Sequence, residues 1–163
     1  MVQPNSDAFT PTAIRAQLGS AYDRFDAEKR SRHADMLRSI RRPQDVEVAV
    51  ESAGNGRYTV TLCATEIFGA LSIIAGMFTA YRIEIVSADA FTLRFTESQI
   101  IPRPVSRAGG RRRGPLRAHR TRSLILDLFE VNVSDDLITD GFWARFRDGL
   151  SDAIATLAKA GQD

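Results

Sequence analysis

The segment ATEIFGALSIIAGMF, residues 64–78, has the residue types in this 163-residue chain that best suit binding of a small molecule. Its pattern predicts a strand end, a turn at Gly69 and an apolar helix over about residues 70–81. Glu66 is its only ionisable side chain and can accept a hydrogen bond from an ammonium group. Glycine lets the backbone approach a ligand closely, and unpaired N–H groups at a helix start can hold a carboxylate. The same residues also fit a tight turn that binds nothing, and both interpretations stay open.

The other groups capable of chemistry are scattered along the chain. The single cysteine, Cys63, lies in an apolar run and is expected to be a small buried hydrophobe. His33 is expected on the surface of a helix, and His119 lies in a basic segment. Neither histidine has a neighbouring motif for nucleophilic, metal or general-base chemistry, and no P-loop is present. The sequence therefore predicts that the chain is not an enzyme and has no cofactor and no metal site.

Arginine is concentrated in one segment. Residues 99–122 contain eight arginines and no acid, which leaves the rest of the chain with a net charge of −6. We expect a disordered hairpin extension over about residues 97–122. Nucleic-acid association is disfavoured, because this segment has no aromatic side chain for base stacking and the remainder would repel a polyanion. Contact with an acidic partner is the third interpretation.

The chain shows no sign of a membrane or export segment. Its first residues, MVQPNSDAFTP, are polar and include no apolar leader sequence. The longest uncharged run, residues 67–81, is short for a bilayer span and contains two glycines, so a buried helix is the better interpretation. We expect Gly76, the second of these glycines, to allow close helix packing. We therefore expect a cytoplasmic protein with no membrane partner.

The hydrophobic pattern predicts helices at both ends of a β-rich chain. Residues 1–9 are expected to be disordered, and Thr10-Pro11 has the pattern of a helix start. An amphipathic helix follows and ends at Pro43. If this helix is broken, we expect the break near Ser31-Arg32. A second amphipathic helix covers residues 138–159, and its Phe142, Trp143 and Phe146 are expected to be core and interface residues and not a ligand cage. Strands are predicted by apolar alternation over residues 45–51, 58–63, 82–96 and 123–133.

This order predicts an α+β fold with a ferredoxin-like antiparallel sheet and two helices on one face. From residue 58 onward it is β-α-β-β-α, which lacks the last strand of that fold. The strand at residues 45–51 follows the long N-terminal helix and is joined by a tight turn to the next strand, so we expect it to take the missing place. The predicted domains are residues 1–43, a disordered start and the helix, and residues 44–163, the sheet domain.

Residues 57–160 resemble the ACT domain, a regulatory module that binds amino acids and similar metabolites. The resemblance lies in the acid and glycine at Glu66 and Gly69, and in residues Ile74-Ala75-Gly76, Ile83, Ile85, Ala88, Thr92 and 126–131. It is nearest to the ACT domains of bacterial nitrogen-control nucleotidyltransferases, the protein uridylyltransferases and glutamine synthetase adenylyltransferases. The chain departs from the pattern at Glu66, where Asp is usual, at Phe68, where Pro is common, and in its arginine-rich insertion.

The resemblance implies a regulatory domain that binds a small molecule, such as an amino acid, in nitrogen or amino-acid metabolism and with a nucleotidyltransferase-type system. It implies a homodimer or pairing with another ACT domain. The implied ligand-binding residues are Glu66, Ile67, Phe68, Gly69, Ala70 and Leu71, with Ser87 and Asp89 from the neighbouring strand. The alternatives are an ACT-like pairing or docking module without ligand, and nucleic-acid association through the arginine-rich loop.

Overall fold

A computed structural model describes residues 9–101 and 116–160, and it shows an α+β fold. The helices are α1 (Pro11–Leu18), α2 (Ala27–Ser39), α3 (Ala70–Ala80) and α4 (Phe142–Ala160). The strands are β1 (Val46–Gly54), β2 (Arg57–Thr65), β3 (Glu84–Ile101) and β4 (Leu116–Asn132). Short 3₁₀ segments cover Gly19–Arg24 and Asp135–Leu137. Within the described ranges, no helix has the length and apolarity needed to cross a bilayer.

The four strands form one antiparallel sheet in the order β1-β2-β4-β3. β1 pairs with β2 through the turn around Asn55, so the first strand lies at the edge beside β2, as the sequence predicts. β4 lies between β2 and β3, and the chain reaches it from β3 by a long hairpin. The sheet is compatible with a ferredoxin-like arrangement.

Helices cover both faces of the sheet. Side chains of successive strand residues point to opposite faces, and on β2 Val60 and Leu62 pack with α3 and α4 while Cys63 packs with α1 and α2. Phe146, Leu150 and Ile154 of α4 are fully buried in the first core. The N-terminal helices, expected to precede the sheet domain, therefore form a third layer with a core of their own.

The N-terminal helix differs from its prediction in the position of its break. The helical run is interrupted by the 3₁₀ segment and by Phe25, and α2 starts after Asp26, whose carboxylate accepts a hydrogen bond from the Lys29 N–H at 2.8 Å. The break therefore lies at residues 19–26 and not at Ser31-Arg32, because an aspartate at this position satisfies the free N–H groups of a new helix start. Phe9, expected in the disordered start, is buried with its ring centroid 4.3 Å from that of Phe95.

The β3–β4 hairpin extends into the range expected to be a disordered insertion. Residues 97–101 pair with residues 116–120, so the ladder continues five pairs beyond Thr96 and Thr121. Neither run contains Gly or Pro, so the backbone hydrogen-bonding pattern is not interrupted there. The remainder of the expected insertion, residues 102–115, lies outside the described residues.

Candidate functional site

The turn between β2 and α3 has the backbone conformation that its glycine predicts. Gly69 adopts φ +87°, in the left-handed region, and its carbonyl accepts the Ile73 N–H at 3.2 Å. The Ala70 N–H donates back to the Ile67 carbonyl at 3.0 Å, which closes the turn. Phe68, the side chain before the glycine, is 100 % exposed. The turn is therefore well defined, and it presents an aromatic ring to the exterior.

An open depression of about 530 Å³ lies beside this turn, between residues 65–68 and residues 121–123. Arg122 borders it and donates hydrogen bonds to the carbonyls of Ile40 and Arg41, at 3.2 and 3.1 Å. Arg122 thus links β4 to the residues that follow α2. The depression is shallow, and it is bordered by Glu66, Ile67 and Phe68 of the predicted site.

Ser87 and Asp89 lie far from the turn, contrary to the predicted site. Through β4, Ser87 is level with Thr59 and Asp89 with Thr61, whereas Glu66 follows the last residue of β2. At about 3.3 Å per strand residue, these registers separate Ser87 and Asp89 from Glu66 by roughly 23 and 17 Å. The prediction took β3 as the strand next to the turn, but β4 lies between β2 and β3. The order and the register of the strands together keep the two halves of the predicted site apart.

Ser87 and Asp89 instead form part of a cleft of about 500 Å³ between the sheet and the N-terminal helical layer, which we call the sheet cleft. Its floor consists of two neighbouring rows of cross-strand partners that face α2. One row contains Glu51, Thr59, Glu130 and Ser87, and the next contains Thr61, Leu128 and Asp89. The floor therefore presents three hydroxyl groups and three carboxylates from all four strands.

The roof of the sheet cleft carries positive charge from the start of α2 and the residues before it. Arg24, Phe25, Lys29, Arg32 and His33 line this side. Arg24 forms an ion pair with Asp89 of β3, and Arg32 forms one with Glu51 of β1. These pairs join the helical layer to the two edge strands, so the space between them is bounded by charged side chains on both sides.

His33 is the most buried polar side chain of the sheet cleft, at 2 % exposure, and this corrects the expectation of a surface histidine. Its Nδ1 lies 3.0 Å from the hydroxyl oxygen of Tyr22, which is fully buried. Burial, with the positive charges of Lys29 and Arg32, lowers the pKa of His33 to about 4. Burial also raises the pKa of Tyr22 to about 12. Both groups are consequently neutral at pH 7.

Two opposite charges in the sheet cleft have no partner among the residues that the structure describes. Lys29 is half-buried in the roof, and Glu130 lies in the floor between Thr59 and Ser87. Among the described residues, none forms a hydrogen bond or ion pair with the side chain of either one. The cleft thus contains an ammonium group and a carboxylate that are both available to a bound molecule.

A second polar group is buried on the opposite face of the sheet. Asp127 of β4 is 4 % exposed and lies between Leu62 and Ala90 on the neighbouring strands. Burial raises its pKa to about 6, and a hydrogen bond from the Phe91 backbone opposes this rise. No ion pair to Asp127 is formed by any residue of the described ranges. Asp127 is therefore a carboxyl group whose ionisation is costly in the folded protein.

Helix α3 presents an uncharged surface on the same side of the sheet as Asp127. Leu71 is 60 % exposed, and Gly76, predicted to allow close helix packing, has open space where a Cβ would lie. That prediction is wrong within the described chain, since no other element approaches Gly76.

The expectation that Phe142, Trp143 and Phe146 serve the core is confirmed by their mutual packing in the α4 core.

Sequence patterns do contain part of the signal for the sheet cleft. His33 precedes Leu37 by four residues, so it belongs to the same helical face as the buried Leu37 and Ile40. Thr59 and Thr61 alternate with Val60 and Leu62, which marks a polar row on one face of β2.

Cys63 is fully buried, as predicted, and burial raises the pKa of its thiol. In the part of the chain that the structure describes, no group of three His, Cys, Asp or Glu side chains is arranged to hold a metal.

Comparison of the chain with protein-family models, with curated proteins and with solved structures found no match.

Proposed function

We propose that this protein is a cytoplasmic regulatory domain that binds a free amino acid in the sheet cleft. The observation that carries the proposal is a pair of opposite charges, Lys29 in the roof and Glu130 in the floor, which no described residue pairs with. A free amino acid at neutral pH has one carboxylate and one ammonium group, which match these two charges. Lys29 is half-buried and Glu130 is exposed at the mouth of the cleft, so a ligand with both groups can form a charge-assisted hydrogen bond at each end.

The size and lining of the sheet cleft support the same ligand class. A volume of about 500 Å³ is within the range of small-molecule sites. Hydroxyl groups of Thr59, Thr61 and Ser87 border it and can donate or accept hydrogen bonds. Among the described residues, His33 forms a side-chain hydrogen bond with Tyr22 and none with a serine, threonine or cysteine side chain. These groups are arranged for recognition, which favours a binding role over a covalent one.

The ACT-like interpretation of the fold belongs to this proposal. The order β2-α3-β3-β4-α4, with β1 at the edge beside β2, is the ferredoxin-like pattern to which the resemblance points. The resemblance to nitrogen-control nucleotidyltransferases makes L-glutamine the first ligand to test and suggests a role in amino-acid or nitrogen regulation. The proposed ligand position differs from the one implied by the resemblance, the turn at residues 66–71.

Thermal unfolding against each of the twenty amino acids and common nucleotides, at millimolar concentration, tests the proposal. A ligand that binds only the folded state at 100 times its Kd adds about 2.7 kcal/mol, which corresponds to roughly 5–10 °C in Tm for a chain of this size. We expect such a shift with at least one amino acid. We expect Lys29→Gln and Glu130→Gln each to reduce it strongly.

The chain offers matched controls for both substitutions. Lys159, the other lysine, lies exposed at the end of α4, and Glu66 lies exposed at the turn implied by the resemblance. Lys159→Gln and Glu66→Gln should leave the shift unchanged. A shift that survives in Lys29→Gln and Glu130→Gln but is lost in Glu66→Gln would move the ligand to the turn. No shift with any compound would refute ligand binding.

A second candidate function is pairing with another copy of this chain or with another ACT-like domain. It is favoured by the apolar surface at the start of α3, where Phe68 is 100 % exposed and Leu71 60 % exposed. Exposed apolar patches of this kind often mark protein contacts. Analytical ultracentrifugation would test it, with Phe68→Ser and Leu71→Ser expected to shift a dimer towards monomer. A wild-type chain that stays monomeric at high concentration would exclude self-pairing.

A further inference from the structure

The hydrogen bond between Tyr22 and His33 determines what His33 can offer to the sheet cleft. The phenol oxygen of Tyr22 is 3.0 Å from His33 Nδ1, and both side chains are buried. Among the described residues, Nε1 of Trp143 is the only side-chain nitrogen or oxygen that is fully enclosed and has no hydrogen-bond partner. The ring nitrogens of His33 are therefore not in this class. Nε2 of His33 has no partner within residues 9–101 and 116–160 either, but it is not fully enclosed, so we take it to border the open space of the cleft, which His33 lines.

The position of the protons follows from the requirements of Tyr22. A neutral imidazole carries one N–H and one acceptor nitrogen, and a phenol carries one O–H donor. If Nδ1 carried the hydrogen, the Tyr22 O–H would be buried with no acceptor among the described residues, which is costly. If Tyr22 donates to Nδ1, the phenol O–H has its acceptor, and the one N–H of the neutral imidazole is at Nε2, where it faces the cleft. The lowered pKa of His33 and the raised pKa of Tyr22 are consistent with this neutral pair.

We propose that Tyr22 is a positioning residue that holds His33 in the Nε2–H tautomer, so that His33 donates a hydrogen bond to the carboxylate of a ligand in the sheet cleft. This inference rests on the proposed function for the existence of a ligand, and it assigns the end of the cleft at which the carboxylate binds. The ammonium end of an amino acid would then lie towards Glu130.

The charges near His33 favour a carboxylate over a more highly charged anion. Lys29 lies one helical turn before His33 on the same face of α2, so its ammonium group can reach the same ligand atoms. Arg24 and Arg32 are engaged by Asp89 and Glu51. One unpaired cation and one neutral N–H donor suit a single negative charge, whereas the carboxylates of the floor would repel a phosphate dianion.

The tautomer can be measured without any ligand, by ¹H–¹⁵N correlation NMR of the full chain with labelled histidine at pH 7. His33 should show an acceptor-type Nδ1 and a protonated Nε2. The variant Tyr22→Phe removes the donor to Nδ1 and should shift His33 towards a mixture of tautomers. Tyr81→Phe is the matched control, because the Tyr81 hydroxyl donates to the Arg145 carbonyl at 3.0 Å outside the cleft.

Ligand recognition can be divided into its parts with three small probes, namely glycine, glycinamide and acetate. Glycinamide retains the ammonium group and lacks the carboxylate, and acetate has the reverse. We expect glycine and acetate to move the His33 Nε2 resonance and glycinamide not to move it. Tyr22→Phe should weaken glycine binding roughly tenfold. His33→Leu should abolish it, and His33→Gln, which keeps an N–H donor near the Nε2 position, should restore part of it.

The outcomes separate this inference from the proposed function. Binding of glycine or another amino acid with equal binding of glycinamide would leave the proposed function intact and overturn the carboxylate role of His33. A protonated Nδ1 in the free wild-type chain would overturn the positioning role of Tyr22 whatever binds. No response of any cleft resonance to any amino acid would refute the proposed function and, with it, the role of His33.

Discussion

Replacement of Asp127 by asparagine should raise the stability of the protein relative to wild type as the pH rises, because it replaces a buried ionisable group by a neutral one of similar shape. Asp127 is 4 % exposed on the central strand β4, and no described residue supplies an ion-pair partner. Burial raises its pKa from 3.8 to about 6. An asparagine at this position keeps the shape and an acceptor oxygen for the Phe91 backbone, and it removes the charge.

The magnitude follows from the difference between the folded and unfolded pKa of Asp127. A carboxyl group with a raised pKa in the folded state contributes most stability below pH 3.8, and this contribution is lost as the pH rises through about 6. A rise from 3.8 to about 6 corresponds to about 3 kcal/mol in total. About 2 kcal/mol of this total should be lost between roughly pH 4.5 and pH 7.5.

The assay is urea unfolding of wild type and Asp127→Asn at several values of pH across this range. The free energy of unfolding of the variant minus that of wild type should rise by about 2 kcal/mol towards neutral pH. His33 has the opposite dependence, because its lowered pKa gives stability that is present above pH 6.5 and lost as the pH falls towards 4. His33 is present in both proteins, so its effect cancels in the difference. A difference that stays constant with pH would refute a buried, costly charge at Asp127.

Three further predictions follow from backbone and core geometry. Gly56→Ala should lower the free energy of unfolding, measured with urea, by more than the matched control Gly54→Ala. Both glycines have positive φ, but a Cβ at Gly56 would lie 2.8 Å from the Val133 carbonyl oxygen, whereas a Cβ at Gly54 would meet open space. Equal losses in the two variants would contradict this. Gly69→Ala should lower the stability by about 1 kcal/mol in thermal unfolding, through its φ of +87° alone. The atom nearest to a Cβ there would be Leu157 Cδ2 at 3.8 Å, which is an ordinary contact. A loss of several kcal/mol would mean that the turn is packed more tightly. Phe9→Ala should cost about 3 kcal/mol in the same assay, because the ring is buried against Phe95; an unchanged Tm would show that the N-terminal layer is not held there.

The strands could be predicted because their signals are local. Val46, Val48 and Val50 alternate, and the tight turn around Asn55 fixes β1 beside β2. The turn at Gly69 also follows from local chemistry, since glycine adopts positive φ at little cost. These features depend on neighbouring residues in the chain, and the structure agrees with the sequence at each of them.

The sheet cleft could not be predicted, because it depends on register and on contacts between distant segments. Ser87 lies beside Glu130 after an irregularity between Ile85 and Ser87, and no local pattern reveals that offset. The sequence also assigns α2 to a separate segment, so His33 has no apparent reason to be buried. The position of His33 four residues before Leu37 indicates that the two share a face of α2. This spacing predicts burial of His33 only if that face is known to cover the sheet.

The N-terminal layer has a consequence for the order in which the chain can fold during synthesis. Gln17 exchanges two hydrogen bonds with the backbone of Arg94, 77 residues later, and Tyr22 packs near Phe91. At about 5–20 residues per second, the ribosome adds Arg94 roughly 4–15 s after Gln17, and β4 later still. The apolar faces of α1 and α2 are therefore without their sheet while most of the chain is made. We expect such non-local pairing to make folding slow and to make the nascent N-terminal half a substrate for chaperones.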